Sequence, residues 1–426
     1  MSGALNRREF ARLFAAGGSA ALLAHPAIAA LPALPAPVTP LARHGAPDWE
    51  AIRARFLIPR DLTVLNAANL CPSPRAVLET VQAGTERLDR APVPSFRDES
   101  FGAKEWVRER VAAYLRATPG EILLTRNTSE ANNWVAAGLT LGPGDEVLIH
   151  ADNHPSNNAA WKSRAERHGF TVREVAAITP HPGAAAVLEA FARAITPATR
   201  VLAFTHVTST VGDLMPAAAL CAMARERGVL SVVDGAQSFG LLDVDLGAMR
   251  PDFYSGSAHK WVCGPKEVGV LFVDRAVHAR FWPSVVSAYP GRVGLSRTHE
   301  GMGQRDEAAI RAFGEQLDLL AGIGRGAIEA RSRALADALV DGLAGLRDVR
   351  LWTSREADAR AAVVSFQPGT LDPRRVLAAL EADGIVAAMR GGTDRPGIRF
   401  SPHFYNDATD VERGVTAIAR YLRSGV

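Results

Sequence analysis

Short apolar runs alternate with helical stretches along most of this chain, and that alternation constrains the fold more than any other feature. Runs at 121–125, 146–150, 200–205, 229–234 and 268–273 read as strands, and 128–137 and 216–227 as helices. The pattern predicts an α/β domain with a mainly parallel, doubly wound sheet. Turn signals at Gly142-Pro143-Gly144-Asp145 and Arg227-Gly228 separate the units. Sheets of this kind bind ligands beyond the carboxyl ends of their strands, and that is where the chemistry-bearing residues fall. The run at 229–234 closes on Asp234, with Gln237 one turn on, and beyond the next strand come Ser257, His259 and Lys260. Pyridoxal phosphate (PLP) needs a lysine for its Schiff base, a carboxylate to keep its pyridine nitrogen protonated, and donors for its dianionic phosphate. One segment supplies all three.

At 426 residues and 47% hydrophobic content the chain exceeds one ordinary domain, so two are expected. A helical region from Asp306 to Leu343, interrupted by glycines, bridges to a smaller α+β domain. Its strands are expected near Val349–Trp352, Val363–Phe366, Ile385–Ala388 and Ile398–Ser401, with a closing helix from Thr409 to Arg423. The boundaries implied are 1–30 for a leader, 31–47 for an Ala/Pro-rich linker, 48–305 for the cofactor-binding domain and 306–426 for the bridging helix and small domain. A formal charge of +3 with scattered basic residues points away from nucleic acid and anionic membranes and toward a small-molecule substrate.

Four further motifs carry chemistry. Leu123 to Asn133 runs from an apolar strand through a capping sequence into a helix, whose first N–H groups suit an anion, or serve as an ordinary N-cap. His150, Asp152 and His154 alternate as zinc ligands can, although no further His or Cys cluster completes a shell. Phe204 to Gly212 follows the next strand and includes Ser209. In Gly397 to Asn406, Arg399 has the planar guanidinium that grips a carboxylate through two parallel hydrogen bonds, or it is a surface ion-pair member.

Together with Asp234 to Lys260, these segments resemble the class V aminotransferase family, from about Asp48 to the C-terminus. Members include cysteine desulfurases, kynureninases and isopenicillin-N-epimerase-like proteins, the last being the subgroup most similar here. The resemblance implies a PLP-dependent transferase of fold type I in which Lys260 forms the Schiff base and acts as general acid and base. It places Asp234 at the pyridinium, Gln237 at the ring hydroxyl, and Thr128, Ser129, Ser257 and His259 at the phosphate. His154 matches the residue that stacks on the ring, with Asn153 in place of the family's Glu, while His150 reads as a structural strand end. Ser209 stands where desulfurases carry an Asn beside the ring hydroxyl, and Arg399 would hold the substrate carboxylate. Gln304 replaces a Thr that in class V homodimers reaches the phosphate bound by the other subunit.

The N-terminus combines Arg7-Arg8, an apolar run from Leu13 to Ala24 too short to span a bilayer, and Ala27-Ile28-Ala29. These form a twin-arginine export signal, which implies the twin-arginine translocase as a partner, a periplasmic or secreted location and no membrane anchor in the mature form. The three cysteines, Cys71, Cys221 and Cys263, are odd in number and widely spaced, so no disulfide framework is expected. None occupies the loop around Arg390 to Gly397, where the desulfurase nucleophile would fall. The expected activity is therefore α-proton removal from an amino acid or amino-acid-derived metabolite, through an external aldimine, by an aminotransferase or an epimerase. Tailoring of a pyoverdine-type siderophore's glutamyl group, C–S or C–C lysis, and PLP binding without turnover are the alternatives.

Overall fold

The computed structural model describes residues 46–389 and 394–426, together with the backbone of Ala42–Arg43. The leader, most of the linker and residues 390–393 lie outside them. Seven strands build the main sheet: β1 (Ile122–Thr125), β2 (Glu146–His150), β3 (Thr171–Val175), β4 (Thr199–Thr205), β5 (Leu230–Asp234), β6 (Phe253–Ser257) and β7 (Gly269–Val273). Their order is β1-β7-β6-β5-β4-β2-β3. The run from β6 through β3 is parallel, and β7 is antiparallel to both of its neighbours. Strands β2, β6 and β7 are buried along their whole length, because helices cover both faces. The expected strands stand within a residue of their anticipated ends. β3 was not anticipated: an edge strand with only Val175 buried, it carries no apolar run.

Helix α1 (Thr128–Gly138) follows β1, and α2 (Pro155–His168) follows β2. Asn127 caps α1 by accepting the Glu130 N–H at 2.9 Å, and His154 Nδ1 caps α2 by accepting from Ser156 N at 3.3 Å, with Pro155 at the first helical position. Both caps sit at the carboxyl ends of their strands. Gly269, paired with Thr125 and Ser257, lets the start of α1 approach the sheet. A Cβ there would lie 2.7 Å from Asn127 Cα and from Gly256 O, so any side chain would displace the helix end.

The bridging region divides at Gly324, at φ +98°, into α3 (Glu307–Ile323) and α4 (Arg325–Ala344). α3 packs on helices Arg75–Arg90 and Ser95–Leu115. Beyond it an antiparallel sheet forms from β8 (Val349–Leu351), β9 (Val364–Pro368), β10 (Ala388–Met389) and β11 (Ile398–Phe400), in the order β8-β9-β11-β10, followed by α5 (Ala408–Ser424). The expected strand Ile385–Ala388 is split, and its first part, Ile385–Val386, pairs instead with Thr63–Val64. Thr63 and Arg53 both bond to Asp410 of α5, so the N-terminal segment is fastened to the C-terminal part of the chain. No helix among the described residues is long and apolar enough to cross a membrane.

Candidate active site

The carboxyl end of the main sheet and the middle of β11 line one cavity of about 240 Å³. Thr128, Ser129, His154, Ser209, Asp234, Gln237, Ser257, His259, Lys260 and Arg399, all anticipated from sequence, line it. Gln304 does not; it lines a separate surface cavity with Phe101 and Tyr289.

Asp234 ends β5, in register with Thr205 and Ser255 of the flanking strands. Its carboxylate is 2% exposed and accepts from Ala236 N at 3.0 Å and from Asn132 Nδ2 at 2.8 Å. Across the cavity floor, Thr128 N and Oγ1 lie 2.8 and 2.7 Å from Ser257 Oγ, which brings the head of α1 against the end of β6. Burial, then the neighbouring Lys260 and Lys266, push the His259 imidazole down to about 4, so it is neutral at physiological pH.

The turn carrying Lys260 is held from four sides. Cys71 N donates to His259 O at 2.9 Å, and Gln316 Nε2 to Val262 O at 2.8 Å. His403 Nε2 lies 2.6 Å from Trp261 O. Burial pushes His403 down to about 3, so its neutral ring donates from Nε2 while Nδ1 accepts from Ser332 Oγ at 3.0 Å. Trp261 Nε1 in turn donates to Gln237 Oε1 at 2.7 Å, and Gln237 Nε2 gives one hydrogen to Ala68 O at 3.0 Å. A primary amide has two N–H donors, so Gln237 retains one for the cavity.

Arg399, in the middle of β11, is fully buried. Its Nη1 donates to Ser209 O at 2.7 Å, and Nη2 lies 3.4 Å from Asn66 Oδ1. The surface ion-pair alternative is thereby removed. The zinc-like trio is dispersed too. Asp152 takes both terminal nitrogens of Arg395 at 2.7 and 2.5 Å, the His150 ring lies 5.9 Å from that of Phe191, and His154 caps α2. Among the described residues no group of three or more His, Cys, Asp or Glu is arranged to hold a metal. All three cysteines are buried and none lines the cavity.

These groups fit PLP. A helix N-terminus with paired hydroxyls suits a phosphate dianion, a buried carboxylate suits a pyridinium, and an amine stands on the same wall. They define a PLP-dependent enzyme of fold type I. The aminotransferase class-V family model matches residues 65–413. The chain is 32% identical to isopenicillin N epimerase of Amycolatopsis lactamdurans over 88% of this chain and 98% of that one. It is likewise 32% identical to a probable cysteine desulfurase of Pseudomonas aeruginosa, over 85% and 94%. Among solved structures, the apo cysteine desulfurase of Thermococcus onnurineus superposes with a TM-score of 0.79 at 23% identity, over 88% of this chain and 98% of that one. A C-DES mutant with glycine linked to its PLP cofactor superposes equally well, with a TM-score of 0.79 at 23% identity over 86% and 98%. The chain belongs to the class-V aminotransferase family, and its cofactor is PLP.

Asn132, Asn157, Gln316 and His403 are the participants that sequence reasoning missed. Asn132 lies inside the Leu123–Asn133 motif and His403 inside Gly397–Asn406, but neither residue type announced a role there. The weak signal was an amide placed one helical turn past a cap, on the face turned toward the strand ends.

Proposed function

We propose that this enzyme removes the α-proton of an amino acid or amino-acid-derived metabolite and returns a proton to the same framework, as an aminotransferase or an isopenicillin-N-epimerase-like epimerase. The observation that carries this reading is the placement of Arg399, Lys260 and Asp234 around one cavity. Bound PLP supplies an electron sink. Arg399 anchors the substrate carboxylate, Asp234 keeps the ring nitrogen protonated, and the Lys260 amine takes and returns the proton. His154 would pack on the ring, Gln237 would donate to its hydroxyl, and Thr128, Ser129, Ser257 and His259 would hold the phosphate. Persulfide chemistry on a protein thiol is disfavoured, because no cysteine lines the cavity.

We further propose a homodimer in which Gln304 reaches the other subunit's cofactor. Supporting it, Trp282, Val286 and Tyr289 expose 66, 81 and 58% of their surface on the segment leading to Gln304, an apolar patch of the kind that marks an interface.

Incubation with a panel of L- and D-amino acids in deuterated water tests the reaction. The expected result is exchange of the α-hydrogen of an accepted substrate. Accumulation of a 2-oxo acid assigns a transaminase, and appearance of the opposite epimer without oxo acid assigns an epimerase. Release of carbon dioxide or sulfide without exchange overturns both.

A further inference from the structure

The Asp234 carboxylate is held by more than its place at the end of β5. Asn132 Nδ2 donates to Oδ2 at 2.8 Å, and Asn157 Nδ2 approaches the same oxygen at 3.4 Å. Oδ1 accepts from Ala236 N at 3.0 Å. Asn132 is itself oriented, since Ser255 Oγ donates to its Oδ1 at 2.7 Å. Turning that amide over would set its oxygen against the carboxylate and its NH2 against the hydroxyl, which also lies beside Asp234 in the sheet register. Asp234, Ser255 and Asn132 are 2, 2 and 3% exposed, and Asn157 is fully buried. Water is therefore largely kept from substituting for any of these contacts.

An ionised carboxylate offers about four acceptor positions, two on each oxygen. Two are occupied on Oδ2, and one on Oδ1. The position left over belongs to Oδ1.

We propose that Asn132, assisted by Asn157 and oriented by Ser255, is a positioning residue for the cofactor: it saturates Oδ2 of Asp234, so that Oδ1 receives the proton-bearing pyridine nitrogen. The inference rests on the assignment of PLP and not on which reaction follows. A carboxylate with one oxygen pinned cannot rotate about its Cβ–Cγ bond without breaking charge-assisted hydrogen bonds, so the acceptor aimed at the ring is fixed before the ring arrives. Preorganisation of this kind tightens binding by lowering the ordering cost on association. It also bears on the Lys260 linkage. A proton on the ring nitrogen is a positive charge conjugated to the imine and disfavours a second positive charge there. Without the clamp the carboxylate is free to turn off the ring nitrogen; the ring proton then loses its acceptor, and the imine becomes more basic.

The test uses the holoenzyme and needs no substrate. Asn132→Leu removes the donor at nearly constant volume. Its expected effects are loss of PLP retention by about tenfold, the scale of one hydrogen bond to a charged group, and an upward shift of roughly one unit in the pH midpoint of the yellow absorbance. Borohydride should still trap the cofactor on Lys260. Ser255→Ala and Asn157→Leu should shift the midpoint the same way by smaller amounts. A general packing defect would lower the melting temperature of the apoprotein while leaving the midpoint in place. An unmoved midpoint in Asn132→Leu, or in both other variants should that one fail to fold, overturns the proposal.

Discussion

At the scale of single residues, Arg399 shows how the site converts burial into selectivity. Its guanidinium is removed from water, and the neutral Ser209 carbonyl and Asn66 amide are among its partners. A carboxylate entering the cavity meets a cation that solvent screens poorly. Arg399→Ala is expected to raise KM for α-carboxylate substrates by ten- to hundredfold, corresponding to about 1.5–3 kcal/mol per charge-assisted bond, with much less effect on PLP retention. Unchanged kinetics with amino acids would indicate a substrate without that carboxylate. Arg399, Lys260 and Asp234 were legible in the sequence because each is a chemically distinctive residue just beyond or within an apolar run. Asn132 and Asn157 were not, because they act on a partner 102 and 77 residues away. An amide on a helix carries no chemical label until the sheet brings that partner to it.

Elements were legible in proportion to their burial. β2 and β5 read as apolar runs because both faces are covered, whereas β3, at the sheet edge, alternates polar residues and is mostly exposed. The helices Arg75–Arg90 and Ser95–Leu115 escaped for a related reason: the first buries only Val77 and Thr80, and the second buries residues only from Val107 onward. Least visible was the seam between the two sheets. Residues 208–213 pass between them, and Ser365 Oγ and Thr353 Oγ1 donate to the carbonyls of Thr210 and Val211 at 2.5 and 2.6 Å. Gly212, at φ +84°, has space for no side chain, since a Cβ would fall 2.2 Å from Val363 O. The buried Asp152–Arg395 pair crosses the same seam, joining the turn that leads to His154 to the approach of β11 and Arg399. Cofactor-facing and substrate-facing groups are thus held in one frame by contacts of very long sequence separation, which local patterns do not encode.

At the scale of the whole molecule, buried imidazoles set the acid limit of stability. Burial pushes His150, His206 and His259 down to about 4 and His403 to about 3, against 6.5 when unfolded. Below about pH 6.5 the unfolded chain takes up protons that the folded chain refuses, so stability falls with pH until the folded values are reached, by up to about 1.4 kcal/mol per unit and group. Asp213, pushed up to about 7 by burial and then by Asp152, acts oppositely, but it is one group against four. The melting temperature should be nearly level around pH 7–8 and fall steeply from about 6 to 4; a flat profile to pH 4 would refute this balance. We propose that the chain is exported by the twin-arginine route, and export would test the molecule at the same scale. A PLP site assembled from residues between Ala68 and Arg399, on both sheets, exists only in the folded chain, so an exported form would be loaded with cofactor before crossing a membrane. A twin-arginine route, which carries folded cargo, suits that order of events, and three buried, unpaired cysteines ask nothing of an oxidising compartment. Changing Arg7 and Arg8 together to Lys keeps the charge but removes the pair that a receptor reads. The double variant should accumulate in the cytoplasm with its leader uncut, yellow, and as heat-stable as the exported form. Normal recovery of the processed protein from the periplasm would show that Arg7 and Arg8 do not direct export.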